Sequence, residues 1–172
     1  LVVTLSRDGG SQMFLLSAAG GGEPRKLSSS LSIDTEAVFA PGGQNIYFVS
    51  DRGGSPQIYR MPISGGAAQR ISFSGNYNIS PAISPNGKQL AFISRIGGAF
   101  KLVIQDLASG TVQPLTETDA DESPSFSANG KQIIYATQIA SGSRWQEALM
   151  TTTLDGRVKS KLTAALGDIR EP

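Results

Sequence analysis

The 172 residues contain no cysteine and no histidine. Without cysteine the chain can form neither a disulfide framework nor a thiolate metal site. Without histidine it lacks the commonest general base and the commonest transition-metal ligand, and a Ser-His-Asp triad cannot be assembled. These absences exclude much familiar enzyme chemistry, and we expect a protein that is not an enzyme.

Net charge and long apolar runs are also lacking. The 15 lysines and arginines nearly balance 14 aspartates and glutamates, so a net charge of +1 provides no overall field for binding nucleic acid. No apolar run approaches the roughly 18 residues of a membrane-spanning helix, so we expect no membrane insertion. No signal peptide opens the sequence, and residues 1–5 are typical of the middle of a strand; we therefore expect a fragment.

The sequence is rich instead in turn residues, with 20 glycines and 9 prolines, and it repeats. The segments 39–44, 83–88 and 126–131 align at intervals of 44 and 43 residues. Each is followed closely by a short aliphatic and aromatic run. Repeats with periods of about 20–50 residues are typical of solenoids and propellers.

Each repeat contains four short strand patterns separated by glycine-rich turns. No apolar period of three to four residues is bounded by helix caps, so helix content should be low. Four strands per unit of about 40–45 residues predict an all-β fold, a β-propeller of four-stranded antiparallel blades. The predicted blades are 1–34, which lacks its innermost strand, 35–78, 79–121 and 122–172. We expect these to form about half of a larger ring.

The acidic residues concentrate where one blade passes to the next. The connections 31–36, 74–80, 117–123 and 166–171 contain 8 of the 14 acids and only one base, Arg170. These connections emerge on one face of a propeller, so one mouth of the channel should be acidic and attract cationic ligands. The alternative is that acids merely occupy exposed turns, which favour aspartate. The eight acids are Asp34, Glu36, Glu117, Asp119, Asp121, Glu122, Asp168 and Glu171.

Three stretches carry a resemblance to a known family. They are Asp34-Thr35-Glu36, which opens a blade, the segment 65–72 (Gly-Gly-Ala-Ala-Gln-Arg-Ile-Ser), and the segment 154–162 (Leu-Asp-Gly-Arg-Val-Lys-Ser-Lys-Leu). Together with the repeated turn pattern, they resemble the TolB family of WD-like propellers over the whole chain. The resemblance implies about half of a six-bladed ring. It also implies a periplasmic scaffold of the Tol–Pal cell-envelope system that docks the lipoprotein Pal, with other Tol proteins as further candidate partners.

The residues that open each blade are the predicted partner contacts, because they combine the acidic connections with the family-like motif. Thr35 and Glu36 rank first among them. We predict no catalytic residue and no cofactor; a divalent cation held by carbonyl groups in the channel is an alternative to an empty channel. The predicted partner-binding residues are Asp34, Thr35, Glu36, Asn78, Ser80, Asp121, Glu122 and Ser123.

The sequence leaves open an alternative function and two roles for Trp145. The repeat also resembles the propellers of prolyl-oligopeptidase-type enzymes, so a second hypothesis is the gating propeller of a serine hydrolase whose catalytic domain lies elsewhere. Trp145 stands in the insertion 138–147, where the period is broken. It either anchors a binding partner or packs against its own hairpin.

Overall fold

The computed structural model describes residues 1–7, 10–28 and 31–162, and the regular elements in these ranges are all β-strands. Within each sheet the strands lie in chain order, and paired strands run antiparallel. The predicted all-β architecture of four-stranded antiparallel sheets is therefore confirmed. In the described residues the first sheet has three strands. No described helix is long and apolar enough to cross a membrane.

The strands follow one another as four sheets along the chain. The first sheet contains β1 (Val2–Arg7), β2 (Gly10–Leu15) and β3 (Arg25–Lys26), and the second contains β4 (Asp34–Phe39), β5 (Asn45–Ser50), β6 (Gln57–Pro62) and β7 (Gln69–Arg70). The third contains β8 (Asn78–Ile83), β9 (Gln89–Ile96), β10 (Ala99–Asp106) and β11 (Val112–Pro114). The fourth contains β12 (Glu122–Phe126), β13 (Gln132–Ser141), β14 (Arg144–Thr153) and β15 (Lys159–Lys161).

The second strand of each four-stranded sheet supplies most of its core. Five consecutive residues of β5, 46–50, are buried, as are residues 90–94 of β9. A strand covered on both faces is continuously apolar rather than alternating. The large rings of Phe48, Phe92 and Tyr135 occupy the same place in the repeat, and all three are buried. The repeated aromatic position therefore lies in the core of each of the three four-stranded sheets.

The chain divides into two compact units between Pro81 and Ala82. In the first unit, side chains of the first and second sheets meet in one apolar cluster. Because full burial of a large apolar side chain stabilises a fold by about 1.5–3 kcal/mol, this cluster stabilises the contact between the two sheets. Its buried members are Met13, Leu27, Ile46, Phe48, Tyr59 and Met61.

The first strand of a blade begins earlier than the sequence predicts. The pattern indicates a strand at 37–39, but β4 already starts at Asp34, and β8 starts at Asn78, inside the predicted connection 74–80. The additional residues are mostly polar and of low strand propensity, so their pattern does not indicate a strand. Most of the predicted partner contacts consequently lie at strand ends rather than in free loops.

Candidate functional site

Three of the predicted contact residues share an unusual backbone conformation. Glu36, Ser80 and Ser123 have φ angles of 52°, 52° and 51°, and they are the described non-glycine residues with positive φ. They are spaced 44 and 43 residues apart, so they occupy one position of the repeat. A side chain in this left-handed region costs about 1–2 kcal/mol, because Cβ crowds the following carbonyl oxygen.

The strained position coincides with a break in strand pairing. The register between β4 and β5 shifts between Thr35 and Val38, and that between β12 and β13 shifts between Glu122 and Ser125. Such bulges leave a residue unpaired and turn side chains away from the regular pleat. The chain thus enters these two blades through a bulge that changes the direction of the site residues.

One hydrogen bond joins two predicted contact residues within the first unit. The exposed Glu36 carboxylate accepts a hydrogen bond from the backbone N–H of the half-buried Ser80, with 2.5 Å between Oε2 and N. The bond connects equivalent repeat positions in β4 and β8, the first strands of the second and third sheets. The carboxylate is thereby oriented in the free protein, which reduces the entropy that a partner must remove on binding.

Asp34, by contrast, points into the protein. It is 0% exposed, and the Arg52 guanidinium donates hydrogen bonds of 2.9 and 3.1 Å to its two carboxylate oxygens. The same guanidinium lies over the rings of Phe48 and Tyr59, at 5.3 and 5.0 Å from their centroids. A buried carboxylate requires such a partner, so Asp34 anchors the start of β4 instead of presenting its charge on the surface.

Asn78 is buried at the equivalent position of the next strand. Its Nδ2 donates to Gln57 Oε1 and to the Ser74 carbonyl, both at 2.8 Å. The Ser72 hydroxyl donates to the same Gln57 oxygen at 2.7 Å and accepts from the Ile58 amide at 2.9 Å. A buried polar network therefore joins the start of β8 to β6 and to the segment that follows β7.

Asp121 makes the corresponding connection in the second unit. Its Oδ2 accepts hydrogen bonds from the Leu102 amide, at 2.9 Å, and from the Thr116 hydroxyl, while Oδ1 accepts from Thr118 at 2.5 Å. Burial, and to a lesser degree the Asp121 carboxylate, raise the pKa of Tyr135 to about 12, against the opposing effect of a hydrogen bond with Thr118. Asp121 is thus a buried acceptor at the blade junction.

The structure therefore divides the eight predicted contacts into two groups. The buried members are Asp34, Asn78 and Asp121. Each lies at the beginning of the first strand of its sheet, or directly before it, and forms hydrogen bonds within the chain. The exposed or half-buried members are Thr35, Glu36, Ser80, Glu122 and Ser123. Partner contact by any of the eight residues stays a prediction; in the free chain the three buried members bond internally.

The acidic surface is also smaller than the residue count suggests. Of the eight acids in the connections, Asp168 and Glu171 lie outside the described residues, and Asp34 and Asp121 are buried. Glu36, Glu117, Asp119 and Glu122 are exposed, and Asp119 pairs with Lys101 at 3.3 Å. The described residues include no cluster of three or more acidic side chains able to hold a metal ion. A channel cation stays an untested prediction.

We expect Tyr135→Phe to weaken the dependence of stability on pH between about pH 10 and about pH 12. The phenol keeps its proton in the fold up to about pH 12, whereas it ionises near pH 10 in an unfolded chain. The free energy of unfolding therefore falls as the pH rises through this window, and phenylalanine removes that contribution. Denaturant unfolding of the full chain below and within the window measures the effect.

Tyr47 also makes stability depend on pH, in the wild type and in the Tyr135→Phe variant alike. Burial also raises its pKa, so some pH dependence should persist in the variant. Near neutral pH the variant should lose only about 1 kcal/mol, through the missing hydrogen bond to Thr118. Equal pH slopes for the two proteins would contradict the assignment of the raised pKa to Tyr135.

A family model described as the TolB beta propeller domain matches residues 1–172. The chain is 52% identical over 162 residues to the Tol-Pal system protein TolB of Bordetella pertussis, covering 94% of this chain and 36% of that protein. The chain thus spans about a third of the length of this relative.

Solved structures give the same result for the fold. The crystal structure of TolB from Acinetobacter baumannii superposes with a TM-score of 0.85 at 38% identity, over 99% of this chain and 42% of that chain. A puromycin-hydrolyzing peptidase of Mycobacterium tuberculosis superposes with a TM-score of 0.68 at 16% identity, over 92% and 26%, a likeness of fold alone. The predicted propeller fold and family are both confirmed, and the chain belongs to the TolB β-propeller domain family.

Proposed function

We propose that this chain is a non-enzymatic, protein-binding scaffold of the periplasmic Tol–Pal cell-envelope system. Its partner in this proposal is a Pal-like lipoprotein, and other Tol proteins are further candidates. Support comes from a relative named Tol-Pal system protein TolB, which matches 94% of the chain at 52% identity. Peptidases with the same fold match at only 16% identity, so the hydrolase-gate hypothesis has weaker support.

One observation carries the choice of the docking site, namely the left-handed backbone at Glu36, Ser80 and Ser123. Strained non-glycine residues cost about 1–3 kcal/mol each and cluster at ligand clamps and active sites. An ordinary strand start would avoid this cost. Its recurrence at one position of three successive repeats supports a shared role in docking, with the bulges presenting the neighbouring side chains.

The exposed carboxylates at these strand ends provide the binding chemistry. Glu36 and Glu122 are exposed, and Thr35 is half-buried between a buried and an exposed neighbour. Carboxylates accept charge-assisted hydrogen bonds from cationic side chains and backbone amides, and such bonds are about twice as strong as neutral ones. A partner with a basic loop therefore fits this surface, whereas an acidic partner does not.

A titration of the full chain with a Pal-like lipoprotein tests this function. We expect saturable binding that is lost in a variant combining Thr35→Val, Glu36→Gln and Glu122→Gln, because all three side chains are accessible. Glu23→Gln, which neutralises another exposed acid, should bind as the wild type does. A basic protein of unrelated fold serves as decoy. Unchanged lipoprotein binding by the folded triple variant would exclude this site.

The exposed ion pair of Asp119 gives a further test of the charge contribution. Asp119 is largely exposed and already pairs with Lys101, so we expect Asp119→Asn to weaken binding less than the triple variant does. Its effect should disappear in high salt, because exposed charges are screened over about 10 Å at 0.1 M ionic strength. A loss of binding at Asp119 that persists in high salt would contradict a screened, exposed charge contact.

A further inference from the structure

A cavity of about 410 Å³ lies in the second unit, between the segment 117–120 and the hairpin formed by β13 and β14. These strands have ten residues each, more than any other described strand. A smaller cavity of about 140 Å³ shares Ala120 and Gln138 with the first. The two adjacent cavities are here called the hairpin groove.

Trp145 lines the larger part of the hairpin groove and remains 71% exposed. The side chain is therefore not packed away against its own hairpin. An indole offers a large apolar area and a face that attracts cations within about 6 Å of its centroid. Ala120 and Ile139 also line this part of the groove and provide apolar contacts for an aliphatic stem.

Acidic side chains line both parts of the groove. Glu117 and Asp119 line the larger cavity, and Glu122 and Glu147 line the smaller one. Lys101 offsets part of this charge, since it pairs with Asp119 at 3.3 Å and also donates to the Glu117 carbonyl. Within the described residues Glu117 takes part in no salt bridge. The groove consequently combines an aromatic face with a Glu117 carboxylate that forms no salt bridge with the described residues.

A buried hydroxyl completes the site. Thr137 lines the smaller cavity, is 3% exposed, and its Oγ1 has no hydrogen-bond partner among the described residues. A buried polar atom without a partner is unfavourable by about 1–3 kcal/mol, and such atoms are uncommon in native proteins. A backbone group of a ligand in the groove supplies the kind of partner that Thr137 lacks.

We propose that the hairpin groove binds an arginine-bearing, extended peptide segment of a protein partner. The guanidinium stacks on Trp145 and faces Glu117, and the aliphatic stem contacts Ile139. Arginine suits the site better than lysine, because its planar, weakly hydrated group stacks on aromatic rings and bonds carboxylates through two donors. The two-part shape favours a peptide over a compact free amine. This inference goes beyond the proposed function and does not require the residues around Glu36.

Trp145 is the only tryptophan of the 172 residues, so its fluorescence reports directly on the groove. The full chain is titrated with a glycine-rich hexapeptide carrying one arginine and with the same peptide carrying citrulline, which is neutral and nearly isosteric. We expect a saturable change in emission with the arginine peptide and at least tenfold weaker binding of the citrulline peptide. By calorimetry, Trp145→Ala and Glu117→Gln should each weaken arginine-peptide binding about tenfold, while Glu23→Gln should not.

The outcomes separate this inference from the proposed function. Equal responses to the two peptides, or none, would overturn the groove proposal even where the lipoprotein still binds. Equal affinity for arginine amide and the arginine peptide would show a free-amine site and overturn the peptide assignment. An emission change that depends on protein concentration alone would assign the groove to a second copy of the chain. Loss of lipoprotein binding in a variant combining Thr35→Val and Glu36→Gln, with peptide binding lost through Trp145 and Glu117 but not in that variant, supports both proposals.

Discussion

Arg52→Leu is expected to lower the free energy of unfolding by about 3 kcal/mol. The substitution leaves the Asp34 carboxylate fully buried without its counterion and removes the guanidinium from the rings of Phe48 and Tyr59. Removing one partner of a buried ion pair costs about 3–5 kcal/mol. We take the lower end of that range, because the Arg52 side chain is 25% exposed and some water reaches it.

A double-mutant cycle separates the ion pair from simple loss of packing. In an Asp34→Asn background no buried charge remains to be stranded, so Arg52→Leu should cost about 1 kcal/mol or less. The third sheet already has an uncharged pair at these two repeat positions, because Asn78 corresponds to Asp34 and Ile96 to Arg52. Urea unfolding of the full chain gives all four stabilities. Additive effects of the two substitutions would contradict the account of Asp34 as an anchored charge.

Glu36→Ala is expected to weaken binding of the Pal-like lipoprotein by about 2–5 kcal/mol, chiefly through faster dissociation. Loss of one partner of a desolvated charge pair has this magnitude and acts on the dissociation rate, whereas edge charges mainly affect association. The alanine variant also loses the hydrogen bond from the Ser80 amide. Part of the effect therefore comes from a less ordered strand end.

Glu36→Gln separates these two contributions. Glutamine retains a side-chain oxygen for the Ser80 amide but removes the charge, so the strand end keeps its geometry. If charge recognition dominates, the glutamine variant should bind almost as weakly as the alanine variant. Surface plasmon resonance with the full chain measures both rates. Wild-type dissociation rates in both variants would contradict a central role for Glu36.

The repeat and its strands could be predicted from the sequence because each depends on local pattern. The aromatic run that contains Phe48 recurs with the turns before it, and β5 and β9 lie where that pattern predicts strands. The roles of Asp34 and Asp121 could not be predicted in this way. Their partners, Arg52 and Leu102, are 18 and 19 residues distant, and only the folded hairpins bring them together.

The left-handed conformation of Glu36, Ser80 and Ser123 could likewise not be predicted from the sequence. Positive φ is normally indicated by glycine, and to a lesser degree by asparagine or aspartate. Glutamate and serine give no such signal. The sequence nevertheless identified Glu36, Ser80 and Ser123 as site candidates through the charge pattern and the blade-opening motif, so two independent lines of reasoning converge on one position of the repeat.

Hydrogen–deuterium exchange of the full chain, with and without a Pal-like lipoprotein, tests the central claim most directly. The claim is that a protein partner docks at the starts of β4, β8 and β12, where Glu36, Ser80 and Ser123 have positive φ. It predicts slower exchange on binding for backbone amides at 34–38, 78–82 and 121–125, with little change at the outer strands β3, β7 and β11. Protection confined to the outer strands, or no protection at saturating lipoprotein, would contradict it.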